Sequence, residues 1–144
     1  MDLRRAIIKA YRTAQERNWD TIYLLVDAHD TICESNYKDA EADFYPQAIK
    51  YLKLICAFPE VYPVLWTSCY PSEGPKYINR LAAAGVFFKG LNETPVENTK
   101  TGDFRKKPYF SILIDDKAGF DPAEWELVYT TIVGCRNLCP LRPK

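Results

Sequence analysis

Ten residues, Ile22 to Thr31 (IYLLVDAHDT), restrict the folds open to this chain more than any other stretch. The apolar run Ile22-Tyr23-Leu24-Leu25-Val26 has no polar interruption and stops on Asp27. A run of this length without alternation reads as a strand covered on both faces, which places it inside a parallel sheet. Asp27 then stands at the carboxyl end of that strand, where open α/β sheets bind ligands. His29, Asp30 and Thr31 follow at once.

The rest of the chain alternates between helix and strand patterns. Leu3, Ala6, Ile7, Ala10, Tyr11 and Ala14 recur at helical spacing and predict an amphipathic helix over residues 3–17 of an N-terminal segment, 1–20. Arg4, Arg5, Lys9, Arg12 and Arg17 form its solvated basic face. Pro46 fits a first helical position, and Ala48, Ile49, Leu52, Ile55 and Cys56 mark a second helix. Val61 to Trp66 reads as a second buried strand ending on Thr67-Ser68. A third helix opens at Pro75, buries Ile78, Leu81 and Ala82, and is capped by Gly85. Val86-Phe87-Phe88 is the predicted third strand, and Tyr109 to Ile114 the fourth, ending on Asp115-Asp116. Asp121-Pro122 supplies an N-cap with proline behind it, and Trp125, Val128, Tyr129, Ile132 and Val133 define the last helix. Strands alternating with helices specify an α/β fold, a three-layer Rossmann-like parallel sheet with helices on both faces. At 144 residues, with no linker or repeat, the chain is expected to be one domain, 1–144.

Composition narrows the function. Nineteen basic and nineteen acidic side chains cancel, so no global field draws the chain to nucleic acid or to a membrane surface. No apolar run approaches the ~18 residues of a membrane span. The five cysteines are odd in number and irregularly spaced, which argues against a disulfide framework and for a reducing, cytoplasmic location. The C-x3-C pair Cys135 and Cys139 has no second pair to complete a metal site.

Three apolar strands therefore end on polar groups: Asp27, Thr67 and Asp115-Asp116. In a parallel sheet these ends share one edge. Lys106-Lys107 precedes the last strand. Carboxylates, a hydroxyl and an ammonium together suit magnesium-assisted phosphoryl transfer, since Mg2+ takes hard oxygen ligands and offsets repulsion between a carboxylate and a phosphate.

The ordered set resembles the haloacid dehalogenase-like hydrolases. Their first motif, an apolar strand followed by D-x-D-x-T, stands here as Asp27-Ala28-His29-Asp30-Thr31. The second is the strand end LWTS with Thr67, the third a lysine, Lys107 or its neighbour Lys106, and the fourth ILIDD with Asp115 and Asp116. The resemblance spans residues 21–121 and is nearest to short members lacking a cap domain, of phage and bacterial type. It implies a Mg2+-dependent phosphohydrolase in which Asp27 becomes an aspartyl-phosphate. Asp27, Asp116 and the backbone carbonyl of His29 would ligate the metal, with Asp115 a ligand or an acceptor beside it. Thr67 would bind a phosphoryl oxygen, and Lys107 would balance the charge of nucleophile and phosphate.

The departure from the family pattern is His29, where those enzymes place an aspartate as general acid and base. An imidazole can do both jobs. Asp30 replaces the usual small residue and is open to three roles: a substitute acid, a partner for His29, or a loop residue. Asp121 reads as a cap before a metal ligand. The polar segments 32–44 and 89–105 are too short for a folded cap and form at most partial lids. An open site suits a large phosphorylated substrate, such as a nucleic-acid end or phosphoprotein, or cover by a second subunit. Tyr37, Trp66, Tyr70 and Lys76 are placed near the site edge, where they can meet a base or sugar. The competing class is a binding protein that keeps the fold and the metal site and turns over little or nothing.

Overall fold

The computed structural model describes residues 2–35, 41–105 and 107–144. Elements follow in the order α1 (Leu3–Glu16), β1 (Ile22–Asp27), α2 (Pro46–Ile55), β2 (Val61–Trp66), α3 (Gly74–Ala83), β3 (Gly90–Leu91), β4 (Ile112–Ile114) and α4 (Trp125–Leu138). Two short 3-10 turns, Asp116–Ala118 and Pro122–Glu124, lie between β4 and α4. Among the described residues the strands form one four-stranded sheet in the order β3-β2-β1-β4, with every pairing parallel. Helices flank it, giving the Rossmann-like three-layer α/β fold. Leu24, Leu25 and Val26 are all buried, as a strand covered on both faces requires.

Local chemistry sets the helix ends. Asp2 caps α1 by accepting from the Arg5 amide, and Asn18 takes a left-handed conformation (φ 56°) that stops it. The buried stripe of α1 is Ile7, Tyr11 and Ala14, while its four basic residues, and Arg17 just past its end, are exposed. Asp121 and Glu124 form a capping box that leads into α4. The buried face of α4 is Trp125, Val128, Ile132 and Cys135. The stripe of α3 is Gly74, Tyr77 and Leu81, rotated from the expected Ile78, Leu81 and Ala82.

Two strands differ from expectation. The Val86-Phe87-Phe88 triplet closes α3 and does not pair. Gly85 turns the chain (φ +88°), the Val86 amide returns to the Leu81 carbonyl at 2.9 Å, and Phe87 is left exposed. Strand β3 comes later, at Gly90 and Leu91, opposite Val64 and Leu65. Its brevity follows from Pro63. The Pro63 carbonyl accepts from the Lys89 amide at 2.9 Å, so the missing proline N–H faces the same side, at a level where β3 has not begun. Proline thus sits in an interior strand without orphaning a partner. Strand β4 is shorter than the predicted 109–114, because Pro108 and Tyr109 are still approaching the sheet. The Ser111 amide donates to the Tyr23 carbonyl at 2.8 Å, and Tyr109 packs edge-on against Tyr23.

Register then fixes what meets at the carboxyl edge. Asp27 lies level with Trp66, and Val26 with Ile114. The next residues, Thr67 and Asp115, therefore flank Asp27 on its two sides. No helix among the described residues is long and apolar enough to cross a membrane. All five cysteines are free thiols.

Because Gly85 alone holds the left-handed turn between α3 and the sheet, Gly85→Ala is expected to cost about 1–2 kcal/mol. Urea denaturation checks this, and an unchanged midpoint would contradict the turn's role.

Candidate functional site

The strand ends open into a cleft of about 870 Å³, lined in part by Asp27, His29, Asp30, Thr67, Asp115 and Asp116. Asp27, Asp115 and Asp116 each offer a carboxylate oxygen, and the three oxygens lie within 4.8 Å of one another. All three residues are half-buried. Burial, then the nearby charge of Asp115, then hydrogen bonding with Asp116 push the Asp27 carboxyl up from 3.8 to about 7. The donor set is all oxygen and anionic, which is the chemistry a hard divalent cation takes. A cation placed among these groups would offset both the burial and the repulsion that raise the Asp27 carboxyl.

Thr31 holds the pieces together. Its hydroxyl donates to Asp27 Oδ2 at 3.2 Å and accepts from the Asp116 amide at 3.2 Å. Its carbonyl accepts from the indole Nε1 of fully buried Trp125 at 2.9 Å. One buried threonine thus ties the first loop, the acidic turn and the last helix. Asp115 caps the turn behind it by accepting from the Lys117 amide at 2.9 Å.

Across the cleft, Thr67 is buried, and its hydroxyl oxygen accepts from the Cys69 amide at 3.3 Å. That leaves the hydroxyl proton to donate elsewhere. Asn92, which the sequence reading missed, clamps the Thr67 backbone from both sides. Its Oδ1 accepts from the Thr67 amide at 2.7 Å, and its Nδ2 donates to the Thr67 carbonyl at 2.8 Å. Asn92 has φ 49°, a left-handed conformation that asparagine tolerates, and an asparagine just past a strand was the available signal.

His29 lines the cleft, and its Nε2 lies 2.9 Å from the hydroxyl of Tyr77 on α3. Asp30 also lines it, in a left-handed conformation (φ 59°), with Oδ1 accepting from the Ser35 amide at 3.2 Å. Its carboxylate therefore shapes the loop, one of the three roles open to it. Of the expected edge residues, Trp66 and Tyr70 line the cleft, and Tyr70 is exposed. Lys76 pairs instead with Glu73 at 3.1 Å. Tyr37 lies outside the described residues.

The motif lysine is placed differently from the rest. Lys107 is exposed and does not line the cleft, and Lys106 lies outside the described residues. The reason is direction: β4 runs parallel to β1, so residues before Ser111 approach from the amino edge, near Tyr23, opposite the Asp27 end. Lys117, one residue beyond the acidic pair, does line the cleft. Of the two proposed lid segments, 32–44 is partly folded. Cys33 pairs with Phe44 across it, and the Arg80 side chain donates to the Ala42 carbonyl at 2.9 Å. Residues 36–40 of it lie outside the description. Within 89–105, Asn92 lines the cleft, while Asn98 to Phe104 bond among themselves.

No family model and no curated protein matches the chain. Among solved structures, one described as a conserved protein coded by a locus of Bacteroides thetaiotaomicron superposes with a TM-score of 0.64. The match covers 79% of this chain and 91% of that one at 23% identity. At that identity the likeness speaks for the fold alone.

Two outcomes follow from this geometry. Thr31→Val removes both hydroxyl bonds from a buried position and is expected to cost about 1–3 kcal/mol in a urea titration, with Thr31→Ser losing less. In chelator, the folded chain binds more protons than the unfolded chain between the ordinary carboxyl value of 3.8 and about 7. Stability of the metal-free protein therefore falls as pH rises through that window. Asp27→Asn should flatten this slope in melting curves; a slope equal to wild type would contradict the crowding of Asp27.

Proposed function

We propose that the chain is a Mg2+-dependent phosphohydrolase of haloacid dehalogenase-like type, acting on a phosphomonoester through an aspartyl-phosphate on Asp27. The observation that carries this reading is the approach of three carboxylates to within 4.8 Å at the end of the central strand. Thr67 faces them across the same cleft.

Asp27, Asp115 and Asp116 would hold the metal, with the His29 carbonyl as a further oxygen on the same loop. Bound Mg2+ supplies the positive charge that lets a carboxylate meet a phosphate dianion. The residues do the rest. An Asp27 oxygen attacks phosphorus as the ester oxygen departs. His29 gives that oxygen its proton, then takes one from the water that attacks the phosphoaspartate, so phosphate leaves and the Asp27 carboxylate returns. The Thr67 hydroxyl, already accepting from Cys69, donates to a nonbridging phosphoryl oxygen. Lys117, which lines the cleft, would balance the charge of phosphate.

The test is phosphate release from an aryl phosphate and a nucleotide panel. Activity is expected with Mg2+ and should vanish in chelator and in Asp27→Asn. Lys117→Ala should reduce it more than Lys107→Ala; the opposite order would restore the lysine that the motif order suggests. No turnover in wild type, with Mg2+ still raising the melting temperature, would sink the enzyme reading and favour a phosphate-binding protein.

A further inference from the structure

Helices α1 and α4 pack against each other, and a groove of about 360 Å³ lies between them. It shares no lining residue with the carboxylate cleft. Ile8, Leu127, Cys135 and Leu138 give it an apolar lining. Leu138 is 82% exposed, a large apolar side chain left in water. Thr130 and Thr131 also line the groove, but both hydroxyls donate to the Leu127 carbonyl, at 3.3 and 2.6 Å. Neither has a proton left for an occupant.

Gly134 lines the same groove from the interior of α4. Its φ is not in the left-handed region, and a Cβ built on it would meet nothing within 4 Å. Among the described residues, then, neither a turn nor a close neighbour calls for glycine here. Glycine is also a poorer helix former than alanine. The missing side chain leaves room in the groove that the chain itself does not fill.

Charge adds a second constraint. Arg4 and Arg12 rim the groove, and Arg5 and Lys9 extend the same basic face, with Asp2 and Glu16 at its two ends. Among the described residues none of these four cations forms an ion pair. The chain as a whole is neutral, so the excess is local. An occupant that satisfies both constraints is apolar along its centre and acidic along its flank.

We propose that the groove between α1 and α4 docks an acidic amphipathic helix of another protein. Its apolar ridge fills the space over Gly134, and its carboxylates meet Arg4 and Arg12. A helix arrives with its backbone already bonded, whereas an extended peptide would find no sheet edge between two helices to pair with. A ridge of side chains also fits the groove between two others. A bilayer surface or a phosphate backbone would answer the cations but would not fill a recessed apolar floor. A second copy of this chain lacks the complement: α2 and α3 hold no acidic residue, and α1 and α4 hold one each.

The test is a displayed library of helical peptides about 15 residues long, panned on the full chain. Leucine is fixed at i, i+3, i+4 and i+7, and the flanking positions are free to be acidic, basic or neutral. Enriched peptides are expected to carry Asp or Glu on the flanks. Their affinity, read by fluorescence anisotropy, should fall about tenfold or more in Gly134→Leu, which fills the groove, and in the Arg4→Glu/Arg12→Glu double variant. It should also weaken as salt rises. Gly134→Leu is expected to melt no lower than wild type, since its added side chain meets open space. If it does melt lower, the double variant, with both substitutions on exposed positions, still decides. Enriched peptides with neutral or basic flanks overturn the proposal, as do an absence of enrichment and equal binding by wild type and variants. Binding of phosphatidylserine vesicles or of a single-stranded oligonucleotide, lost in the double variant but kept in Gly134→Leu, also overturns it, because the cations alone would then be the site.

Discussion

The Thr31 hydroxyl, set between the Asp27 carboxylate and the Asp116 amide, is the contact on which the site's geometry depends. Three carboxylates gathered at one sheet edge repel one another, and nothing in the strands alone would hold them together. The parallel register brings Asp27 and Asp115 level. Thr31 then draws the acidic turn onto the first loop, and Trp125 fixes Thr31 from behind by bonding its carbonyl. Burial, with the charge of Asp115 added to it, pushes the Asp27 carboxyl up to about 7. A cation bound among the three would relieve that crowding.

Much of the fold was legible because its signals were local. The uninterrupted Ile22–Val26 run specified a strand buried on both faces, and the helices announced themselves through caps and periodicity. What misled was the Val86-Phe87-Phe88 triplet. A short apolar run can pair in a sheet or plug the end of a helix, and the strand pattern alone does not say which. Here Gly85 sends Val86 back onto α3, and pairing waits until the chain has passed Pro63.

In the site, the strand-end residues Asp27, Thr67, Asp115 and Asp116 were readable, since a parallel sheet collects strand ends on one edge. The lysine was not. Its motif position is defined by order along the chain, whereas its place in space depends on which edge the loop before β4 approaches. Asn92 and Tyr77 were hidden for a related reason: each acts through a contact of long sequence separation, with Thr67 and with His29. His29, by contrast, stood out as the one histidine, on a polar loop beside Asp27.

The account stands or falls on the three carboxylates acting as one cation site. The most direct measurement is anomalous diffraction from crystals grown with Mn2+ in place of Mg2+. A single strong peak among Asp27, Asp115 and Asp116, lost in Asp116→Asn crystals, is the predicted result. No peak there at millimolar Mn2+, with the three side chains resolved, would contradict the claim.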